Sequence, residues 1–140
     1  MPENSVEKKI MSGELLELSR DSFIRYLEHK SYVTFAEIDT HFENTKGDFR
    51  VGFQDKNIIL WDGLSITLYQ ILTDLVNEGK IGICQEDPLI YWIDGCVLEI
   101  PVARRNIKYK TLRWLPVSIS LYEEVRFAKN LLPIKWGKFE

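Results

Sequence analysis

The sequence predicts an α+β fold, and three observations carry that prediction. Residues 64–78 place their apolar side chains on one face at helical spacing and close on Gly79. Residues 47–61 alternate Phe49, Val51 and Phe53 with Arg50 and Gly52, turn through Asp55-Lys56-Asn57 and return, as a hairpin does. Beyond Asp94-Gly95 the pattern becomes extended again. A chain of 140 residues suits one compact unit, and 45% apolar content with four Trp, six Tyr and seven Phe supplies a packed interior.

The elements follow in order. Residues 1–18 begin polar and reach helical spacing at Val6, Ile10, Met11, Leu15 and Leu18. That makes an amphipathic arm, expected to dock on the core or to pair with a second copy. Residues 21–30 carry Phe23, Ile24 and Leu27 on one helical face. Thr34, with Glu37 three positions later, has the spacing of a capping box and opens a short helix through Phe42. The hairpin then separates the second and third helices by about twenty residues. In the third helix Leu64, Leu68, Ile71, Leu72 and Leu75 form the apolar stripe. Ile66, Gln70, Thr73 and Asn77 point the other way, with Tyr69 at the flank.

Residues 81–84, the turn Glu86-Asp87-Pro88, and residues 89–93 read as strand, turn, strand, a candidate wing. Leu98, Ile100 and Val102 share one face of an extended run, and a second run covers 109–119, broken by Pro116. Ser120 and Glu123 repeat the capping-box spacing. They open a predicted helix with Leu121, Val125, Ala128 and Leu132 on one side, Arg126 and Lys129 late, and Pro133 at its end.

The segment Leu68-Tyr-Gln-Ile-Leu-Thr-Asp-Leu-Val-Asn-Glu-Gly-Lys-Ile81 is similar to the ending of many bacterial and archaeal recognition helices. Through it, about residues 21–93, roughly half of the chain, resemble a winged-helix domain. The resemblance implies an α+β architecture with a winged-helix-like core, an inserted hairpin and a C-terminal β-plus-helix extension. The corresponding divisions are an N-terminal helical arm (1–20), the core (21–95) and an extension packed on the same core (96–140). It also implies that the outward face of the third helix enters the major groove. That face offers Ser65, Ile66, Tyr69, Gln70, Thr73 and Asn77, of which Gln and Asn can pair with adenine edges and Ile or Tyr can contact thymine methyls. Winged helices also serve as protein-interaction modules, so the fold alone does not decide.

Charge complicates that reading. The net charge is −3, but residues 1–103 hold nine basic and eighteen acidic side chains, a net −9, whereas residues 104–140 hold nine and three, a net +6. The third helix has no Lys or Arg, carries Asp74 and Glu78, and is followed by the acidic stretch 85–88. Phosphate neutralisation supplies most of the affinity for DNA, so it must come from elsewhere. Arg104, Arg105, Lys108, Lys110 and Arg113 interleave with Asn106, Tyr109 and Trp114, a pattern suited to backbone contact with base stacking. The plainer reading of that segment is a charged loop between strands.

The expected function is therefore a nucleic-acid-associated regulatory or accessory protein that binds DNA through Gln70, Thr73, Asn77 and the basic segment. The alternative is a protein–protein adaptor using the winged-helix fold without nucleic acid, with a homodimer through the N-terminal arm or exposed aromatics as one form.

Enzymatic readings find little support. His29 and His41 stand twelve apart without a convergent cysteine, so no metal site is expected. A nuclease centre at Asp87 or Asp94 with Glu99-Ile-Pro101 has Pro101 where a lysine belongs. No glycine-rich phosphate loop or nucleophile elbow occurs, and no cofactor is expected. Cys84 and Cys96 are too few and too widely spaced for a disulfide framework, which predicts reduced thiols and a cytoplasmic protein. The longest apolar run, 89–93, is far shorter than a membrane span, and the first residues lack the apolar stretch of a secretory signal.

Overall fold

The computed structural model describes residues 2–133 and 137–139. Helices and strands are mixed along the chain in an α+β arrangement. The N-terminal part contains α1 (Pro2–Ser12), α2 (Arg20–His29), β1 (Val33–Thr34) and α3 (Phe35–His41). Strand β2 (Lys46–Phe53), a 3-10 turn (Gln54–Lys56) and β3 (Ile58–Leu64) form the hairpin, followed by α4 (Ile66–Asn77) and β4 (Ile81–Gln85). Then come α5 (Leu89–Ile93), β5 (Arg113–Trp114), β6 (Val117–Leu121), α6 (Tyr122–Val125) and β7 (Gly137–Phe139).

Two sheets organise these elements. The first has the order β1–β6–β4 and is antiparallel throughout; Ile119 of β6 sits opposite Val33 on one side and Ile83 on the other. The second has the order β5–β3–β2–β7, with β3 and β5 parallel. The β2–β3 hairpin is irregular, with register shifts including one between Val51 and Gly52. Gly52 is required there because a side chain would collide with the Ile58 carbonyl oxygen of the partner strand.

One hydrophobic core runs from Leu16 to Leu132 and draws on the arm, the middle of the chain and its C-terminal part. At its centre the Trp61 ring stacks on Phe35 at 5.7 Å and meets Tyr91 at 5.2 Å and Trp114 at 6.1 Å. Each buried ring contributes roughly 1.5–3 kcal/mol relative to exposure. The Tyr91 hydroxyl ties three elements together. It donates to the Val117 carbonyl at 2.5 Å and accepts the Phe35 N–H at 3.2 Å.

Several sequence expectations hold. Helix α4 buries Leu68, Leu72 and Leu75. It ends with Gly79 at φ +71° and paired bonds from Gly79 N–H to Val76 O (3.0 Å) and Lys80 N–H to Leu75 O (2.9 Å), a Schellman closure. The Thr34 hydroxyl accepts the Glu37 N–H at 3.1 Å as an N-cap. The arm docks, with Val6 and Ile10 packed against the core, but α1 stops at Ser12 and Gly13 takes φ +77°. Leu18 is buried outside the helix, while Met11 is 85% exposed.

Three expectations are corrected. Residues 89–93 form helix α5 and not the second strand of a wing. Pro88 takes helical dihedrals and the Asp87 carboxylate accepts the Leu89 N–H at 2.9 Å, which starts a helical turn and sends Tyr91 inward. The partner of β4 is β6, some thirty residues later. The run through Leu98, Ile100 and Val102 is not a strand; only Val102 makes an isolated bridge, to Trp114. The C-terminal helix expected from Ser120 does not begin there. Strand β6 continues through Leu121, the Ser120 hydroxyl accepts the N–H of distant Tyr32 at 2.7 Å, and α6 is a single turn.

Candidate nucleic-acid interface

Helix α4 is positioned at its start by Ser65. Its hydroxyl accepts the Leu68 N–H at 3.1 Å and donates to the Asn44 carbonyl at 2.7 Å. With Leu68, Leu72 and Leu75 inward, Gln70 and Asn77 are exposed and Thr73 is half-buried. Ile66 is 54% exposed, and Tyr69 lies 5.1 Å from Phe49 of the hairpin. The helix is less acidic than its composition, because Arg20 of α2 grips Glu78 through two bonds of 2.6 Å. Those bonds hold the Glu78 carboxyl below the usual carboxylate range.

Residues 86–116 form a long connection from β4 to β6. It is closed at its base, where the Glu86 N–H donates to the Pro116 carbonyl at 2.9 Å. Its acidic start is engaged locally: Glu86 accepts the Ser118 hydroxyl at 2.6 Å and the Asp87 carboxylate accepts the Leu89 N–H at 2.9 Å. The basic segment follows on fixed supports. The Gln85 side chain donates to the Arg104 carbonyl at 2.8 Å, and Lys56 Nζ donates to Asn106 Oδ1 at 3.1 Å. Asn57, in the left-handed region at φ +57°, donates its side-chain N–H to the Tyr109 carbonyl at 2.8 Å and accepts the Arg113 N–H on its own carbonyl at 2.9 Å.

This arrangement separates the sequence-predicted residues into classes. Arg104, Arg105, Lys108 and Lys110 are exposed. Arg113 is half-buried, with its guanidinium 5.2 Å from the Tyr109 ring centre and Nη1 3.5 Å from the Val102 carbonyl. Trp114 is 1% exposed and belongs to the core, so it offers no face to a base. The Tyr109 hydroxyl accepts the Arg105 N–H at 3.3 Å and donates to the Arg105 carbonyl at 3.0 Å, holding the loop together.

The basic segment and α4 lie along the same hairpin strand. Arg113 pairs with Ile58 at the start of β3, and α4 follows Leu64 at its end. A strand of that length spans about 20 Å. Basic residues 104–113 are thus not packed on the start of α4; they occupy the far end of β3 and the end of β4.

Two cations beside this segment were not singled out by the sequence. Lys56 joins it from the hairpin turn, and Lys129, beyond α6, shares a cleft with Arg104, Gln85 and Asn130. A turn lysine carries no signal of its own, and Lys129 fell inside a helix that does not form.

Elsewhere, Glu37 on α3 lies near the Asp94 carboxylate, which accepts the Thr34 hydroxyl at 2.7 Å, and Asp39 lies near Thr45, Lys46 and Trp61. Burial pushes both carboxyls up; Asp39 is partly relieved by hydrogen bonds from Thr45 and Trp61. Among the described residues, no group of three His, Cys, Asp or Glu side chains could hold a metal ion, and no helix is long and apolar enough to cross a membrane. Comparison with known proteins finds no matching family model, no matching curated protein and no matching solved structure.

Proposed function

We propose that the chain is a nucleic-acid-associated accessory or regulatory protein with a winged-helix-like core, in which the 86–116 connection takes the place of the wing tip. The order α2, β1, α3, α4, β4, β6 and the sheet order β1–β6–β4 support the core. They support it because the winged-helix reading expects a short strand after the first helix to lie beside the two wing strands. The β2–β3 hairpin is then the insertion between the second and third helices.

The observation that carries the function is the presentation of Arg104, Arg105, Lys108 and Lys110. All four are exposed on a backbone fixed to Gln85, Lys56 and Asn57. They supply the phosphate contacts that α4 lacks, while Gln70, Thr73 and Asn77 supply base contacts. One duplex must then touch both surfaces; Arg113 and the start of α4 lie about 20 Å apart along β3, less than one duplex turn of about 34 Å. Arg113 serves as a support of the loop, stacked on Tyr109.

Fluorescence anisotropy with labelled duplex and single-stranded DNA at low salt tests this reading. Binding is expected with the full chain and is strongly reduced by changing Arg104, Arg105 and Lys108 together to Ala. Absence of binding at low salt contradicts it.

The second reading, a protein-contact adaptor, is favoured by α5, where Leu89, Trp92 and Ile93 are 61%, 67% and 77% exposed on one short helix. It predicts a concentration-dependent mass in sedimentation that Trp92→Asp abolishes, with no response to DNA.

A further inference from the structure

A cleft of about 530 Å³ lies between three segments of chain: the end of β4 with its following turn, residues 102–104, and residues 129–130. Its volume is that of a site for one small ligand. Its walls are tied to one another, because the Gln85 N–H donates to the Asn130 carbonyl at 2.8 Å, the Asn130 side chain donates back to the Gln85 carbonyl at 2.9 Å, and the Gln85 side chain holds Arg104. The cleft is therefore preorganised, and little ordering free energy is lost on binding.

Its charges are arranged by segment. Glu86 and Asp87 come from the first wall, and Arg104 and Lys129 from the other two. A bare phosphate would gain from two cations and lose to two carboxylates. A ligand with an anionic group at one end and N–H donors at the other satisfies both. Glu86 uses one oxygen on Ser118 and Asp87 uses one on the Leu89 N–H, so each retains a second oxygen as an acceptor.

We propose that this cleft seats one unstacked nucleotide of a bound strand, its phosphate against Arg104 and Lys129 and a guanine base against Glu86 and Asp87. Guanine's Watson–Crick edge carries the N1–H and N2–H donors, which a carboxylate accepts, whereas adenine presents its unprotonated N1 there. An edge read in this way requires a nucleotide out of the stack. The inference rests on the nucleic-acid reading for the strand that delivers the nucleotide, but the cleft is testable without the strand.

The test is an NMR titration of the full chain with guanosine 5′-monophosphate, followed at the backbone amides of Gln85, Arg104, Lys129 and Asn130. Saturable shifts at those amides are expected, with affinity about tenfold weaker in Lys129→Ala and in Arg104→Ala, the loss of one charge-assisted contact each. Both side chains are exposed, so the variants retain the fold, which the rest of the spectrum verifies. Adenosine 5′-monophosphate is expected to bind more weakly. Absence of saturable shifts, an equal response to inorganic phosphate, or equal affinity for the two nucleotides overturns the proposal. DNA binding without a response to the mononucleotide removes the cleft and leaves the broader reading. A specific mononucleotide response without DNA binding does the reverse.

Discussion

Gln85, the last residue of β4, donates its side-chain N–H to the backbone carbonyl of Arg104 at 2.8 Å. The first cation of the basic segment is thereby fixed to the end of a buried strand. With Glu86 bonded to Pro116 at the base of the connection and Asn57 gripping its far side, the segment is a supported loop. Its backbone is held from several sides while Arg104, Arg105, Lys108 and Lys110 are exposed.

The Tyr91 hydroxyl is the point where α5, α3 and β6 meet. Tyr91→Phe leaves the Val117 carbonyl and the Phe35 N–H buried without that partner. The expected cost is about 2 kcal/mol, read as a lower urea midpoint with an unchanged slope. A midpoint indistinguishable from wild type would show that the hydroxyl does not couple these elements.

Cys84 and Cys96 should differ sharply in reactivity. Cys84 is buried in β4, and burial pushes its thiol up to about 11; the Cys96 thiol is also raised by partial burial, but its residue is exposed to reagent. A thiol reagent such as DTNB should therefore titrate one equivalent quickly in the native protein and the second only after unfolding. Two fast equivalents would contradict the placement of Cys84.

Asp39 gives a signed pH dependence. Its folded-state carboxyl is raised above the ordinary 3.8 by burial, so between that value and the raised one the native state holds more protons than the unfolded state. Stability from this group is complete below the ordinary value and is lost as pH rises through the folded one. Asp39→Asn keeps an acceptor for Thr45 and Trp61 but has no charge to bury. Its Tm relative to wild type should rise as pH is raised above the ordinary carboxylate value of 3.8. A pH-independent difference would remove Asp39 as the cause.

The fold was legible wherever one local signal dominated. Helix α4 was readable because Leu68, Leu72 and Leu75 keep a 3.6-residue period and Gly79 closes the helix. The β2–β3 hairpin was readable from its alternation. Helix α5 was not, since five consecutive apolar residues look alike in strand and helix, and what separates them is the turn in which the Asp87 carboxylate accepts the Leu89 N–H. The capping-box spacing at Ser120 misled because its hydroxyl is used by Tyr32, a partner 88 positions away. At the candidate site, the count of cations was visible but their division was not. The half-buried state of Arg113 and the place of Lys129 in the cleft depend on Tyr109, Gln85 and Asn130, which carry no charge signal.

The most direct test of the central claim is the salt dependence of DNA affinity. The account predicts a steep linear fall of log K with log salt concentration. Changing Arg104, Arg105 and Lys108 together to Ala should flatten that slope by about 2.7, at about 0.9 per lost phosphate contact. Gln70→Ala with Asn77→Ala should lower affinity for a preferred sequence without changing the slope. A triple variant with the wild-type slope, or a wild type that shows no binding even at low salt, would contradict the claim that residues 104–110 are the phosphate-binding surface.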